Sequence, residues 1–457
     1  MTPRSQLVCA GCGAEAPPGD PYPFRCRNAD GDDIDHVLRR RLDTTGLAFP
    51  DGTEAGPFLR YRTLLHAWHV ARDAGVSDAE LCELVRRLDA RVAEVDGHGF
   101  AVTPFTRADA LSGALGFSAE GGVWVKDETG NVAGSHKARH LFGVLVWLSV
   151  MELLGRVRTP RPELAIASCG NAALAAAVVA AAGRRSLRVF VPVDADPVVL
   201  ERLEGLGALV ETCPRVPGET GDPTVKRLRE ALAAGALPFT CQGDLNGLAV
   251  EGGHTLGWEL AATGVPLDRV VVQVGGGALA SGVAAGLAEA VALGALTRLP
   301  RIDTVQTASA WPLKRAYDAI RDYDVDLAYA RRHRATFMWP WETEPSSVAH
   351  GILDDETYDW AVVVEAMLKT GGTPVVASEE RLAAANDAAR ERTDIPVDPT
   401  GSAGLAGLLE LRERGEVDDD ERVAVLFTGV DRTSTTDTKG SSDEELSGTR
   451  HPVAQGL

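Results

Sequence analysis

The sequence has no excess of positive charge. Lys and Arg total 46 against 65 Asp and Glu, a formal net charge of −19. A chain this acidic repels polyanions, which argues against general nucleic-acid binding and against attachment to anionic membranes. Long apolar runs are also missing. The most apolar stretch, Ala172 to Ala182, is short and Ala-rich and reads as a buried helix rather than a membrane span. No secretory leader is seen before Cys9, and the cysteines number seven, so they cannot all pair. A reducing, cytoplasmic compartment is expected. No internal repeat is evident.

What is present is ordinary globular material. At 457 residues, with 45% hydrophobic and 24% charged content, the chain can bury large cores in two or three compact units. Residues 1 to about 40 are rich in Gly, Pro and Asp and carry Cys9-Ala10-Gly11-Cys12, with Cys26 following. This reads as a ribbon-like segment and a candidate zinc site on Cys9, Cys12 and Cys26. A closed site needs four ligands. Arg27, Asn28 and Ala29 stand where a second Cys pair would end, which leaves His36 or Asp30 as the fourth.

Residues 41–100 read as a helical arm, packed on the main body or on a second subunit. One pattern runs through Leu59, Leu64, Leu65, Trp68 and Val70. A second opens at Ser77-Asp78-Ala79-Glu80, a capping-box arrangement, and continues through Leu81, Leu84, Val85 and Leu88. Tyr61, Arg62, His66 and His69 read as ordinary packing and solvated positions of these helices.

From residue 101 to 433 the pattern is strand, turn, helix, repeated. Val123 and Val125, Leu164–Ala167, Leu187–Val191, Leu209–Glu211, Val270–Val274 and Val423–Phe427 read as buried strands. Helices follow through Leu141–Leu148, to Ala182, through Val198–Leu206 and through Ala278–Leu293. Buried strands alternating with helices mean an α/β fold with parallel sheets, and ligands bind such sheets at the carboxyl ends of their strands. Residues 434–457 are Ser, Thr, Asp, Glu and Gly and are expected to be disordered.

Three loops at strand-to-helix junctions carry the chemistry: Gly134-Ser135-His136-Lys137, Ser168-Cys169-Gly170-Asn171-Ala172, and Gly275-Gly276-Gly277-Ala278. Lys137 sits at a helix start, where outward N–H groups favour anions and disfavour an ammonium, easing loss of its proton. A neutral amine is what carbonyl condensation requires. The triglycine lets backbone N–H groups close around an anion. The second loop offers an Asn side chain and helix-start amides to a hydroxyl or carboxylate. A lone surface lysine or a lone triglycine turn would mean little. An amine, an anion cradle and a polar helix start together suit pyridoxal phosphate.

In this order the loops resemble those of the fold-type II pyridoxal-phosphate enzymes, the tryptophan synthase β-like superfamily. A fourth stretch, Val397-Asp398-Pro399-Thr400-Gly401-Ser402, is similar to their late loop. The Cys-x-x-Cys, the arm and Thr103-Pro104-Phe105 resemble threonine synthases most, with threonine ammonia-lyases next. The resemblance implies a two-domain catalytic region, with a smaller mobile domain at about 140–255 and the remainder forming the larger one.

It also implies roles. Lys137 would form the Schiff base and move the substrate's α-proton. Asn171 would hold the cofactor's 3′-oxygen. Gly275, Gly276, Gly277 and Ala278 would take the phosphate, with His136 assisting. Thr400 would meet the pyridine nitrogen, and a neutral hydroxyl there favours elimination and replacement over transamination. Ser168, Gly170 and Ala172 would receive the substrate carboxylate.

The implied activity is a lyase or synthase performing β- or γ-elimination or replacement on a small L-amino acid, in a homodimer. Threonine synthase acting on O-phosphohomoserine is the alternative, with Arg139, Lys314 or Arg315 serving a second phosphate. A non-catalytic cofactor-binding protein is a further one. Departures are clear: His136 stands where Phe is frequent, Ala138 where threonine synthases carry Asp, and Ala172 where Thr or His is common. Cys169 occupies the position of a racemase serine, so it is a candidate catalytic thiol with a lowered pKa at a helix start. Phe337–Glu342, with two tryptophans beside a carboxylate, and Ser346 and Ser347 are candidates to shape the substrate side of a pocket, with packing as a loop wedge the favoured reading of the tryptophans.

Overall fold

A computed structural model describes residues 3–29, 31–215 and 222–432. The tail at 434–457 and Asp30 lie outside the described residues. Three sheets form the frame. The first pairs β1 (Ser5–Cys9) with β2 (Leu38–Leu42) in antiparallel register. The largest has six strands: β3 (Phe105–Arg107), β4 (Gly122–Asp127), β9 (Arg269–Gln273), β10 (Arg301–Thr307), β11 (Pro374–Ala377) and β12 (Arg422–Phe427). Its order is β11-β10-β9-β12-β4-β3, parallel except for β3. The last is all parallel, in the order β7-β6-β5-β8, built from β5 (Leu164–Ala167), β6 (Leu187–Val191), β7 (Leu209–Thr212) and β8 (Leu237–Pro238).

Both parallel sheets follow from strands that are apolar on both faces and so must be covered on both. Val270, Val271 and Val272 in β9 and Val423 to Phe427 in β12 are fully buried. The helices that cover them are apolar nearly all round. Lys137–Leu153 is buried without a break from Ala138 to Met151, and Asn171–Ala182 is buried from Ala173 to Ala180. Such helices belong inside a protein, not on its surface.

β10 is harder to read in sequence. Its Arg-Ile-Asp-Thr-Val-Gln-Thr run looks polar, yet Asp303, Thr304, Gln306 and Thr307 are all buried. Asp303 is satisfied there by Arg269 at 2.5 Å and by the Thr373 amide at 2.7 Å.

The arm packs on the main body. Phe58 meets Phe142 edge-on at 4.7 Å, and Tyr61 lies 5.5 Å from Trp258. Its first half is broken into short pieces, Pro57–Arg60, Arg62–Leu64 and His66–Asp73. The second, Asp78–Asp96, keeps its capping box: Ser77 Oγ accepts from Glu80 N at 3.2 Å, and the Glu80 carboxylate accepts from Ser77 N at 2.9 Å. His66 and His69 are buried, packing positions among the four residues read there. His66 stacks on Trp147 at 5.0 Å, and burial pushes the two rings down to about 3 and about 4. No helix among the described residues is long and apolar enough to cross a membrane.

Candidate active site around Lys137

The strand order explains the site. Because β12 lies between β9 and β4, the loops leaving their carboxyl ends stand side by side. These are 274–277 after β9, 428–430 after β12, and 128–136 after β4. Ser135 bridges Gly429, and His136 N donates to Thr428 O at 3.2 Å. Gln273 ties the group together. Its Nε2 donates to Thr428 Oγ1 and Gly401 O, both at 2.8 Å. Nothing in the sequence marks Gln273 except its place at the end of a valine strand.

From the smaller sheet, the loop after β5 brings Asn171 across. Its Nδ2 lies 3.5 Å from Asp398 Oδ2, and a Cβ added to Gly429 would sit 2.7 Å from the same Nδ2. The Lys137, Asn171 and 397–402 loops therefore converge as expected. Burial pushes Asp398 up to about 6, against the pull of the Gly401 amide. Thr400 is half-buried, and its Oγ1 accepts from Gly351 N at 3.0 Å. Thr428, fully buried within this cluster, is a second hydroxyl that motif reading passed over.

Lys137 begins its helix, half-buried. Among the described residues its amine has no hydrogen-bond or ion-pair partner. The chain reaches it through a tight turn in which Ala133 holds φ 55, a strained left-handed conformation for a residue with a side chain. Buried His136 and His140 flank it, 5.7 Å apart ring to ring. His136 Nδ1 faces Thr428 O at 3.3 Å and His140 Nδ1 faces Ala249 O at 2.9 Å. Burial and the nearby lysine hold both imidazoles neutral, His140 down at about 3. The Nε2 atoms of both rings are buried without a partner.

The triglycine forms the opposing wall. Gly277 adopts φ 98 and caps the Ala278–Ala292 helix. The loop's carbonyls are tied back: Gly275 O accepts from Thr357 Oγ1 at 3.0 Å and Gly276 O from Asp359 N at 3.1 Å. One loop amide already binds a carboxylate, since Asp354 accepts from the Gly276 N–H. A Cβ at Gly275 would fall 2.3 Å from Asp354 Oδ2, so only glycine permits this approach. Burial pushes Asp354 up to about 6 despite the Lys137 charge. Asp359, buried beside Asp244 and Asp35, is pushed up to about 8.

Behind the lysine lies a different kind of charge. Arg139 is fully buried and bonds Glu128 at 2.7 Å and Glu259 at 2.5 Å; Lys126 bonds Glu259 at 2.5 Å. Arg139 is thereby committed, which corrects its candidacy for a second phosphate. Lys314 pairs with Asp318, and Arg315 with Glu342 at 3.0 Å. The Arg315 guanidinium lies 3.6 Å over Trp339 and 5.0 Å from Trp341, the packed wedge expected there.

Ser168, Gly170 and Ala172 stand half-buried at the start of the Asn171–Ala182 helix. Cys169 between them is exposed, and its thiol is pushed up, by desolvation and by Asp194 and Asp222. That overturns the lowered pKa expected of it: desolvation first, and then Asp194 and Asp222, outweigh the helix start.

A cavity of about 500 Å³ shares Tyr358 with the wall over the glycines but contains neither Lys137 nor the triglycine. The residues at the Lys137 site fit pyridoxal phosphate on their own geometry. They combine an unpaired, partly desolvated amine, an amide cradle whose carbonyls are engaged elsewhere, and an Asn side chain from the facing loop.

Comparison with known proteins agrees. Residues 98–429 match the family described as pyridoxal-phosphate dependent enzyme. Threonine synthase of Methanocaldococcus jannaschii is 26% identical over 333 residues, covering 72% of this chain and 74% of that protein. Among solved structures, the processed form of threonine deaminase isoform 2 from Solanum lycopersicum superposes with a TM-score of 0.57 at 17% identity, covering 81% of this chain and 95% of that one. Maize serine racemase gives 0.56 at 18%, covering 78% and 96%. At these identities the structural matches establish the fold alone.

Proposed function

The chain belongs to the fold-type II pyridoxal-phosphate-dependent enzymes, and on that premise we propose that it is a lyase or synthase carrying out β- or γ-elimination or replacement on a small L-amino acid. The observation that carries this reading is the unpaired Lys137 amine between two neutral histidines, facing an anion-binding glycine loop.

The cofactor, when bound, supplies the carbonyl that takes the substrate amine and the ring that withdraws electrons from its α-carbon. The chain does the rest. Gly275, Gly276, Gly277 and the Ala278 helix start bind the phosphate, with His136 assisting. Asn171 orients the ring oxygen. Thr400 or Thr428 offers a neutral hydroxyl to the ring nitrogen. The helix start at Asn171, with Ser168, Gly170 and Ala172, receives the substrate carboxylate.

With the cofactor bound, the Lys137 amine would take the substrate's α-proton and hand it to the departing β- or γ-group. Cys169, protonated because its thiol is pushed up, acts as a proton donor at the loop's exposed edge. We assign residues 140–255 to a smaller domain that closes on the larger one and excludes water, in a homodimer.

Threonine synthase action on O-phosphohomoserine is favoured over other replacements by one observation, the match to archaeal threonine synthases over some three-quarters of their length. Ala138 in place of their Asp weighs the other way. The assay is direct. The purified protein with cofactor is offered a panel of small L-amino acids, and release of 2-oxo acid and ammonia is followed. O-phosphohomoserine is tested for phosphate release. Turnover of at least one is expected. Cofactor binding with no turnover across the panel would instead favour a non-catalytic binding protein.

A further inference from the structure

The N-terminal segment gathers Cys9, Cys12, Cys26 and His36 so that their ligand atoms all lie within 4.8 Å of one another. We propose that these four side chains hold one structural zinc ion, and that His36 thereby pins the 31–37 strap against the wall of the Lys137 site. The metal site itself stands independently of the catalytic reading.

The geometry matches a tetrahedral ion. Zn–S bonds of ~2.3 Å and Zn–N bonds of ~2.0 Å place neighbouring ligand atoms roughly 3.5–3.8 Å apart. Cys12 Sγ and Cys26 Sγ are 3.6 Å apart, and Cys9 Sγ and His36 Nδ1 are 3.5 Å apart. A disulfide would need about 2.0 Å between sulfurs.

The surroundings are those of a ligand set. Asn28 donates its backbone N–H to Cys26 Sγ at 3.4 Å and its side-chain amide to Cys12 Sγ at 3.7 Å, bonds that offset thiolate charge. His36 Nε2 faces Asp32 Oδ1 at 3.0 Å, which leaves Nδ1 as the free ligand nitrogen. A carboxylate on the far nitrogen is the usual outer partner of a metal-bound histidine. Cys9 and Cys26 are buried, Cys12 and His36 partly so, and no carboxylate is among the four.

The strap explains why a metal would matter here. Asp35 N donates to Arg331 O at 2.7 Å, Arg334 N to Asp33 O at 2.9 Å, and Trp360 Nε1 to Asp35 Oδ1 at 3.2 Å. Trp360 directly follows Tyr358 and Asp359, which cover the triglycine. The Cys-x-x-Cys turn also touches the strap's backbone: a Cβ on Gly11 would lie 2.4 Å from Asp35 O. One ion would therefore lock hairpin, loop and strap together, at a small cluster of Cys9, Cys26 and Leu38 beside which Leu7 and Phe24 pack into the main core.

The test uses the full-length protein purified without chelator. About one zinc per chain is expected by elemental analysis, and cobalt substitution should give thiolate-to-metal absorption together with tetrahedral visible bands. Metal content should fall about tenfold or more in His36→Ala, while Asp32→Asn should retain the metal with about 10-fold weaker affinity. To separate loss of metal from unfolding of His36→Ala, the wild type is also stripped with chelator and followed by hydrogen exchange. Faster exchange is expected at 31–37 and at 354–360, and unchanged exchange in β5 and β6. Zinc well below stoichiometry with no cobalt bands, or a Cys12–Cys26 disulfide in the protein as purified, would overturn the site. Stoichiometric zinc whose removal leaves 354–360 unchanged would overturn the coupling.

Discussion

Lys126 and Lys137 stand at the two ends of one loop and have opposite surroundings. Lys126 is fully buried and meets Glu259 at 2.5 Å and the Thr103 carbonyl at 2.7 Å. With Arg139, Glu128 and Glu259 it forms a set of two cations and two anions that sums to zero. Lys137 is half-buried with no hydrogen-bond or ion-pair partner among the described residues, facing carboxyls pushed up to about 6 and about 8. In the first region every charge is spent on another. In the second, Asp354 is held by one loop amide, while the amine and the Nε2 atoms of both neutral imidazoles are without partners among the described residues. Fully compensated charge positions the helix start; uncompensated charge marks where a ligand is to be received.

The comparison breaks most sharply at the lysines themselves. Lys137→Ala should lower turnover by about 10³-fold or more and abolish covalent cofactor retention while leaving the fold intact. Lys126→Met should do the reverse, unfolding at lower urea but retaining cofactor on Lys137. Arg139→Leu comes next. It leaves buried Glu128 without a cation and Glu259 with Lys126 alone, and should cost about 3–5 kcal/mol in urea unfolding.

Much of this division was legible in sequence, and the reasons are physical. Strands such as Val270–Val274 announce themselves because burial on both faces demands apolar side chains, and glycine loops because only glycine allows the backbone's close approach. The strand-to-helix junctions pointed to Lys137 and Asn171, while the place of the 397–402 loop beside them came from the family resemblance. The partners of charge did not. Arg139 reads as a free cation until Glu259, 120 positions away, is seen against it. β10 reads as a loop until Asp303 is found neutralised by Arg269. Asp354 lies in no motif, and His36 is seen to join the three cysteines only in the fold, Asp30 lying outside the described residues.

A pH dependence sharpens the comparison further. Asp354 holds its proton up to about 6, above its ordinary value of 3.8. The folded apoprotein therefore loses stability as pH rises from the ordinary carboxylate range through 6, where the buried carboxylate becomes charged. The same charge opposes an incoming phosphate. Cofactor affinity should be highest below about pH 6 for this group's part, and Asp354→Asn should bind about tenfold tighter at pH 8 with little change at pH 5, by titration of apoprotein. An affinity ratio between the two proteins that is flat with pH would remove Asp354 from the cradle.

The smallest expected effect is at Cys169. Cys169→Ala should slow turnover by roughly tenfold, with Cys169→Ser closer to wild type, as a proton donor of partial weight would require. Unchanged turnover in Cys169→Ala would return that thiol to the surface.

The central claim is that Lys137, not Lys126, condenses with the cofactor. Borohydride reduction of the holoprotein followed by peptide mapping reads this directly. The pyridoxyl phosphate mass is predicted on the peptide containing Lys137 and absent from the one containing Lys126. An adduct on Lys126 or on no lysine, in protein that has bound the cofactor, would contradict it.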